Sequence, residues 1–163
     1  MLILRLGWCA VEKMLEEVLE ENRALAKQGK VASYIPALSK ANPNHLGICI
    51  IDENRNIYKQ GDCDIKFTMQ SISKVIALML ALMDNGEKVF EKVGREGTEE
   101  PFNTLYKLDL PHIKKPVNPM INAGAIATTA QIKGDKIQRI LELIRKITEN
   151  PSINYNKGVY LSE

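Results

Sequence analysis

The feature that most constrains this chain is the run Val75–Met83, in which every residue is apolar: Val, Ile, Ala, Leu, Met, Leu, Ala, Leu, Met. It carries no turn residue, and it is too short to cross a bilayer. Ser71–Asn85 therefore reads as one helix that is apolar on nearly every face. A helix of that kind belongs in the centre of a fold. Gly86 supplies a natural stop.

The neighbouring elements follow from period and punctuation. Val11, Met14, Leu15, Val18, Leu19, Leu25 and Ala26 recur at helical spacing and predict a first helix ending at Gly29. Val31–Lys40, with Tyr34 and Pro36, reads as an irregular or short helical connector. Leu46–Ile51 and Asn56–Gln60 flank the turn residues Asp52-Glu53-Asn54 and predict a hairpin. Gly94–Lys115 is loop-rich. Pro119–Gln131 holds an Ala-rich helical stretch. Lys136–Glu149 is amphipathic through Ile137, Ile140, Leu141, Ile144 and Ile147, and Asn150-Pro151 ends it. No repeat or linker marks a boundary inside the chain. One hairpin beside four or five helices is too little sheet to stand alone.

Composition narrows the classes. With 163 residues, 45% hydrophobic and 26% charged, there is enough apolar material for a core, and long disorder is excluded. The net charge of +2 is not the footprint of a nucleic-acid binder. Cys9, Cys49 and Cys63 form an odd set without a CxxC pair, and His45 and His112 are far apart. This pattern predicts a reduced, cytoplasmic protein without disulfides, zinc or another metal. Cys49 is expected inside the sheet, Cys63 in an exposed loop, and Met69, Met79 and Met83 in the core. Arg95 and Glu96 are expected to pair or brace a loop. Met1–Ala10 lacks the marks of a signal peptide. Because Met14 would serve as a start, residues 1–13 read as an extension and 14–163 as the domain.

The segment with chemistry is Gln70-Ser71-Ile72-Ser73-Lys74. Ser71 and Lys74, three apart, share one helical face. A serine hydroxyl needs a base. A lysine can act as that base when burial disfavours its charged form. A helix N-terminus also favours a developing oxyanion. On the tetrapeptide alone, a plain helix cap at Ser71 is the better reading, and Ser73 competes as cap and nucleophile.

Five segments in order resemble the serine-dependent glutaminases, relatives of the SxxK β-lactamases and penicillin-binding proteins. They are Gly29-Lys30-Val31-Ala32-Ser33-Tyr34-Ile35-Pro36-Ala37-Leu38; Phe67-Thr68-Met69-Gln70-Ser71-Ile72-Ser73-Lys74-Val75; Val93-Gly94-Arg95-Glu96-Gly97 through Pro101-Phe102-Asn103; Asn118-Pro119-Met120-Ile121-Asn122-Ala123-Gly124-Ala125-Ile126; and Val159-Tyr160-Leu161-Ser162-Glu163. The resemblance implies an α+β, β-lactamase/DD-peptidase-like fold, represented here by an N-terminal helix, a hairpin and a helical subdomain, with the C-terminal sheet strands missing. It implies hydrolysis of L-glutamine to L-glutamate and ammonia without a cofactor. Ser71 would attack the amide carbon, Lys74 would carry the proton, and the Ser71 backbone N–H would form half the oxyanion hole.

The resemblance also implies a set of substrate contacts, each with a plainer alternative. Tyr34 would line the pocket, or anchor the first helix as a buried aromatic. Gln70 would hydrogen-bond substrate, or sit solvated in a loop. Asn122 would bind the amino acid through its donor and acceptor, or cap a helix after Pro119. Glu163 would meet the substrate amino group, or trail as a chain end.

Family catalytic domains are close to twice this length. The expectation is therefore a glutaminase N-terminal part, inactive alone, whose remaining half is either supplied by a C-terminal half-chain or cut from this sequence, in a family that tends to form dimers or tetramers. The alternatives are a non-catalytic remnant or association module of a split or frameshifted gene, and an SxxK penicillin-recognising hydrolase. Gly94–Asn103 and Asn118–Ile126 argue against the last.

Overall fold

The structure is a computed structural model, and it describes residues 2–99, 101, 103 and 115–163, with backbone alone for residues 2–9. His112, Phe102, the Cys9 side chain and most of the loop expected over 94–115 lie outside the described residues. The regular elements among the described residues are helices and one two-stranded sheet, an α+β composition. No described helix is long and apolar enough to cross a membrane. The chain divides into two compact units, residues 1–67 with 156–163, and residues 68–155.

In the first unit, α1 spans Leu2–Ala26. It starts well before the predicted Val11 and runs unbroken through residues 2–13. Gly29 N–H donates to the Ala26 carbonyl just past its end, at 3.2 Å. Of the expected stripe only Leu15 and Leu19, one turn apart, are buried, while Met14, Val18 and Leu25 are exposed. The buried pair faces the hairpin β1 (Gly47–Ile51) and β2 (Ile57–Gly61), which pair antiparallel with Cys49 opposite Lys59 and Ile50 opposite Tyr58.

Asp52 builds the hairpin turn. Its Oδ1 accepts the N–H groups of Asn54 and Asn56 at 2.9 and 2.8 Å, and its Oδ2 accepts Asn56 Nδ2 at 2.7 Å. The Asn56 side-chain bond leads the causes that hold the Asp52 carboxyl below its ordinary value.

Tyr58 is buried beneath α1, whereas Cys49, Ile51 and Ile57 alternate onto the opposite face and are exposed. This corrects the expectation of a buried Cys49. With two strands and a helix on one side, the sheet has an open face. Cys63 is instead half-buried, and its Sγ lies 3.1 Å from the carbonyl oxygens of Ile48 and Gln60. The connector forms a short 3-10 helix, Pro36–Lys40, with buried Ile35 before it and α5 (Lys157–Ser162) packed against it. Asn156 Oδ1 caps α5 by accepting the Val159 N–H at 3.1 Å.

In the second unit, the predicted helix over 71–85 has two parts. A 3-10 turn, Gln70–Ile72, leads into α2, Ser73–Asn85, which ends at Gly86 with φ 58°. The core is Ala77, Leu80 and Ala81 of α2 with Val89, Val93 and Ile132. Alpha-helices α3 (Asn122–Ala130) and α4 (Lys136–Thr148) pack on α2. Among the described residues, the other side of α2 is exposed. Ile72, Val75, Met79 and Met83 are exposed, Met83 at 69%. Central burial therefore holds for one face alone, and Met79 and Met83 are not core residues.

On α4, Leu141 and Ile144 are buried while Ile137 and Ile147 at the two ends are exposed. Asp135 Oδ1 caps α4 through the Gln138 N–H at 3.0 Å. Arg139 clamps α4 to the end of α2. Its two terminal nitrogens donate to the Asp84 oxygens at 2.5 and 2.8 Å, and the Lys133 backbone N–H adds a bond at 2.8 Å. These partners, the Arg139 bonds above all, hold the Asp84 carboxyl down at about 2. Arg95 pairs with Glu87 instead of Glu96, and its guanidinium stacks 3.7 Å over the Phe90 ring.

Candidate active site

Four of the six residues singled out in the sequence lie in the second unit: Gln70, Ser71, Lys74 and Asn122. The turn Gln70–Ile72 presents the first two. Gln70 has φ 45°, a left-handed conformation outside glycine's usual company. Such a residue carries roughly 1–2 kcal/mol of backbone strain. Its amide donates to Thr68 Oγ1 at 3.0 Å. Ser71 follows at once and is exposed. It caps nothing, because α2 starts at Ser73 without a side-chain cap. Ser73 Oγ is turned back onto the Gln70 carbonyl at 2.7 Å, which removes it as the competing cap and engages the competing hydroxyl.

Lys74, in the first turn of α2, is half-buried. Polar groups at the entrance of α3 surround its amine. Lys74 Nζ donates to Asn122 Oδ1 at 2.7 Å and to the Met120 carbonyl at 2.8 Å. Asn122 opens α3 but does not cap it. Ile121 holds the cap position without a side-chain bond, so the Asn122 side chain is directed at Lys74.

Close packing sets this approach. A Cβ on Gly124 would run into the Asn118 carbonyl oxygen and approach Pro119 Cα at 3.2 Å. Only glycine lets the first turn of α3 lie against the Asn118-Pro119 peptide.

Tyr34 and Glu163 belong to the first unit. Tyr34 precedes the Pro36–Lys40 turn and is 75% exposed, which excludes a buried anchor for α1. Glu163 follows α5 and its N–H still bonds the Val159 carbonyl at 3.2 Å, so the backbone there continues the helical pattern.

Sequence reasoning missed the Met120 carbonyl and the residue behind it, Asn118. Asn118 Oδ1 accepts the N–H groups of Met120 and Ile121 at 2.9 and 3.1 Å. An asparagine directly before a proline at a helix entrance was the available signal.

A hydroxyl at a turn, an amine one helical turn away and an amide facing the amine together suit nucleophilic attack on a carbonyl with proton transfer. The family model described as Glutaminase matches residues 29–163. The chain is 50% identical to the glutaminase of Clostridioides difficile over 157 residues, 93% of this chain and 51% of that protein. It is also 50% identical to the glutaminase of Alkaliphilus metalliredigens, covering 94% and 52% of the two chains. Among solved structures it superposes on a probable glutaminase from Bacillus subtilis complexed with 6-diazo-5-oxo-L-norleucine. That match has TM-score 0.76 and 31% identity, and covers 93% of this chain and 46% of the other. The chain spans about half the length of the curated relatives it matches.

Proposed function

Since the chain belongs to the glutaminase family and carries about half of that family's β-lactamase-like fold, we propose that it contributes the nucleophile half of a centre hydrolysing L-glutamine to L-glutamate and ammonia. Ser71 Oγ attacks the side-chain amide carbon and gives its proton to the lone pair of the Lys74 amine, which acts in its neutral form. The tetrahedral intermediate expels ammonia as Lys74 returns that proton to the leaving nitrogen, leaving a glutamyl ester on Ser71. Water, deprotonated by the same amine, then cleaves the ester to glutamate and restores Ser71. The Ser71 backbone N–H donates to the oxyanion. Gln70 and Asn122 contact the amino acid.

The observation that carries this reading is the bond from Lys74 Nζ to Asn122 Oδ1, which joins the SxxK segment to the Asn118–Ile126 segment. A base needs an oriented side chain, and Asn122 orients it.

The relatives are about twice as long. We expect turnover once this chain is mixed with a polypeptide matching the second half of the Clostridioides difficile relative, and none from the 163 residues alone. Ammonia and glutamate release would be assayed for the chain alone, for the mixture, and for the mixture carrying Ser71→Ala. A mixture inactive on glutamine, or activity that survives Ser71→Ala, would refute the reading. The second reading, a non-catalytic association module, is favoured by the exposed apolar residues Val75, Met79 and Met83 of α2. Stable association without turnover would establish it. We further propose a homo-oligomeric, cytoplasmic enzyme, tested by sedimentation of the active mixture and by fractionation of the source cells.

A further inference from the structure

We propose that Asn118 is a positioning residue that aims the acceptors of Lys74. The inference rests on the reading of Lys74 as the proton carrier.

The Lys74 amine donates to Met120 O and Asn122 Oδ1. Both acceptors sit within Pro119–Asn122, the turn that leads into α3, so whatever fixes that turn orients these two bonds. Pro119 has no N–H to contribute. The first two N–H groups of the turn, on Met120 and Ile121, both donate to Asn118 Oδ1. The Met120 peptide is thereby held from its nitrogen side while its carbonyl takes the lysine.

Asn118 is itself anchored. Its Nδ2 donates to the Glu96 carbonyl at 2.8 Å, and the Glu96 N–H returns a bond to the Val117 carbonyl at 2.9 Å. Gly94 N–H bonds the Pro116 carbonyl at 2.7 Å, and a Cβ on Gly94 would collide with the Val117 carbonyl. Residues 94–96 and 116–118 therefore form a close-packed brace. The brace ends on one side chain, Asn118, and that side chain holds the turn facing Lys74. Asn118 hydrogen-bonds the Met120 and Ile121 N–H groups, so its effect on the amine runs through that turn.

The experiment uses the 163-residue chain labelled with 15N-lysine. The exchange of the Lys74 Nζ protons with water is followed by NMR, and their signal is assigned by its loss in Lys74→Arg. Asn118→Ala is expected to speed that exchange by about tenfold or more, the scale of one lost hydrogen bond to a charged group, while thermal unfolding stays a single transition. Asn118→Asp retains the acceptor oxygen and is expected to keep the exchange slow. Unchanged exchange in Asn118→Ala overturns the proposal, as does fast exchange in a folded Asn118→Asp. If Asn118→Ala does not fold, Asn118→Asp decides alone, slow exchange supporting the proposal and fast exchange overturning it. Glutamine turnover is not the readout. A slow-exchanging amine that depends on Asn118 in a chain whose mixture never hydrolyses glutamine would uphold the positioning and sink the glutaminase mechanism.

Discussion

Lys74 Nζ donates to Asn122 Oδ1 across 48 residues of chain, and the 2.7 Å bond ties the first turn of α2 to the first turn of α3. A donor and an acceptor fixed at this distance orient the amine before any substrate arrives. Orientation is the part of general-base catalysis a protein can build in advance.

Lys74→Arg is expected to leave the chain folded and to abolish glutamine hydrolysis in the mixture with the second-half polypeptide. The guanidinium keeps the charge and can still donate to Asn122 and Met120, but it does not surrender a proton in proteins. Asn122→Ala removes one acceptor from the Lys74 amine, which carries a charge once it has taken the Ser71 proton. That loss costs roughly 1–3 kcal/mol, so kcat/KM should fall about 10- to 100-fold. Steady-state ammonia release checks both. An active Lys74→Arg mixture would show that another group takes the Ser71 proton.

The Asp84–Arg139 clamp predicts the acid limb of stability. The folded Asp84 carboxyl lies near 2, below its ordinary value of 3.8, because Arg139 hydrogen-bonds its charged form. A depressed folded value means that this contribution is complete above about 4 and is lost as the pH falls through about 2. Asp84→Asn should therefore unfold at a lower temperature than the parent chain at pH 6, with the gap closing between pH 4 and 2. Thermal unfolding followed by circular dichroism at stepped pH measures this. A gap independent of pH would mean that the clamp works through shape alone.

Much of this arrangement was legible in the sequence, and the gaps have physical causes. The Asp52 turn, the Gly86 stop and the Asp135-capped α4 are local events, written in the residues that make them. The three-residue spacing of Ser71 and Lys74 is plain in the sequence, but the 3-10 turn that leaves Ser71 outside α2 is not. Which face of α2 is covered could not follow, because Val75, Leu80 and Met83 are equally apolar and the packing of α3, α4 and residues Gly86–Glu91 decides among them. Cys49 was misjudged for the same reason, since an apolar strand does not reveal that one side of its sheet stays open. Asn118 escaped notice because its role depends on two backbone N–H groups and a carbonyl 22 residues away.

Gln70 offers a separation of strain from contact. Its φ of 45° suits glycine, while its amide bonds Thr68 and is proposed to reach substrate. Gln70→Ala loses the amide and keeps the strain. Gln70→Gly loses the amide and relieves the strain. The glycine variant should therefore be more stable than the alanine variant by roughly 1 kcal/mol, with both raising KM for glutamine in the mixture. Urea unfolding of the two variants side by side is the measurement. Equal midpoints would show that the left-handed backbone at Gln70 costs nothing.

Thr128 provides the last test, on the packing that carries the site. It lies on α3 at 1% exposure, and among the described residues its Oγ1 has no hydrogen-bond partner. A hydroxyl buried in that way costs about 1–3 kcal/mol relative to one left in water. Valine has nearly the same shape and the same β-branched preference in a helix, so Thr128→Val should stabilise the chain by about 1 kcal/mol. Thr128→Ser keeps the hydroxyl and deletes the methyl, and should destabilise by about as much. The urea midpoint should rise for valine and fall for serine with the slope of the transition unchanged. The opposite order would mean that the hydroxyl is satisfied in solution and that the methyl contributes little to the packing of α3 against α2.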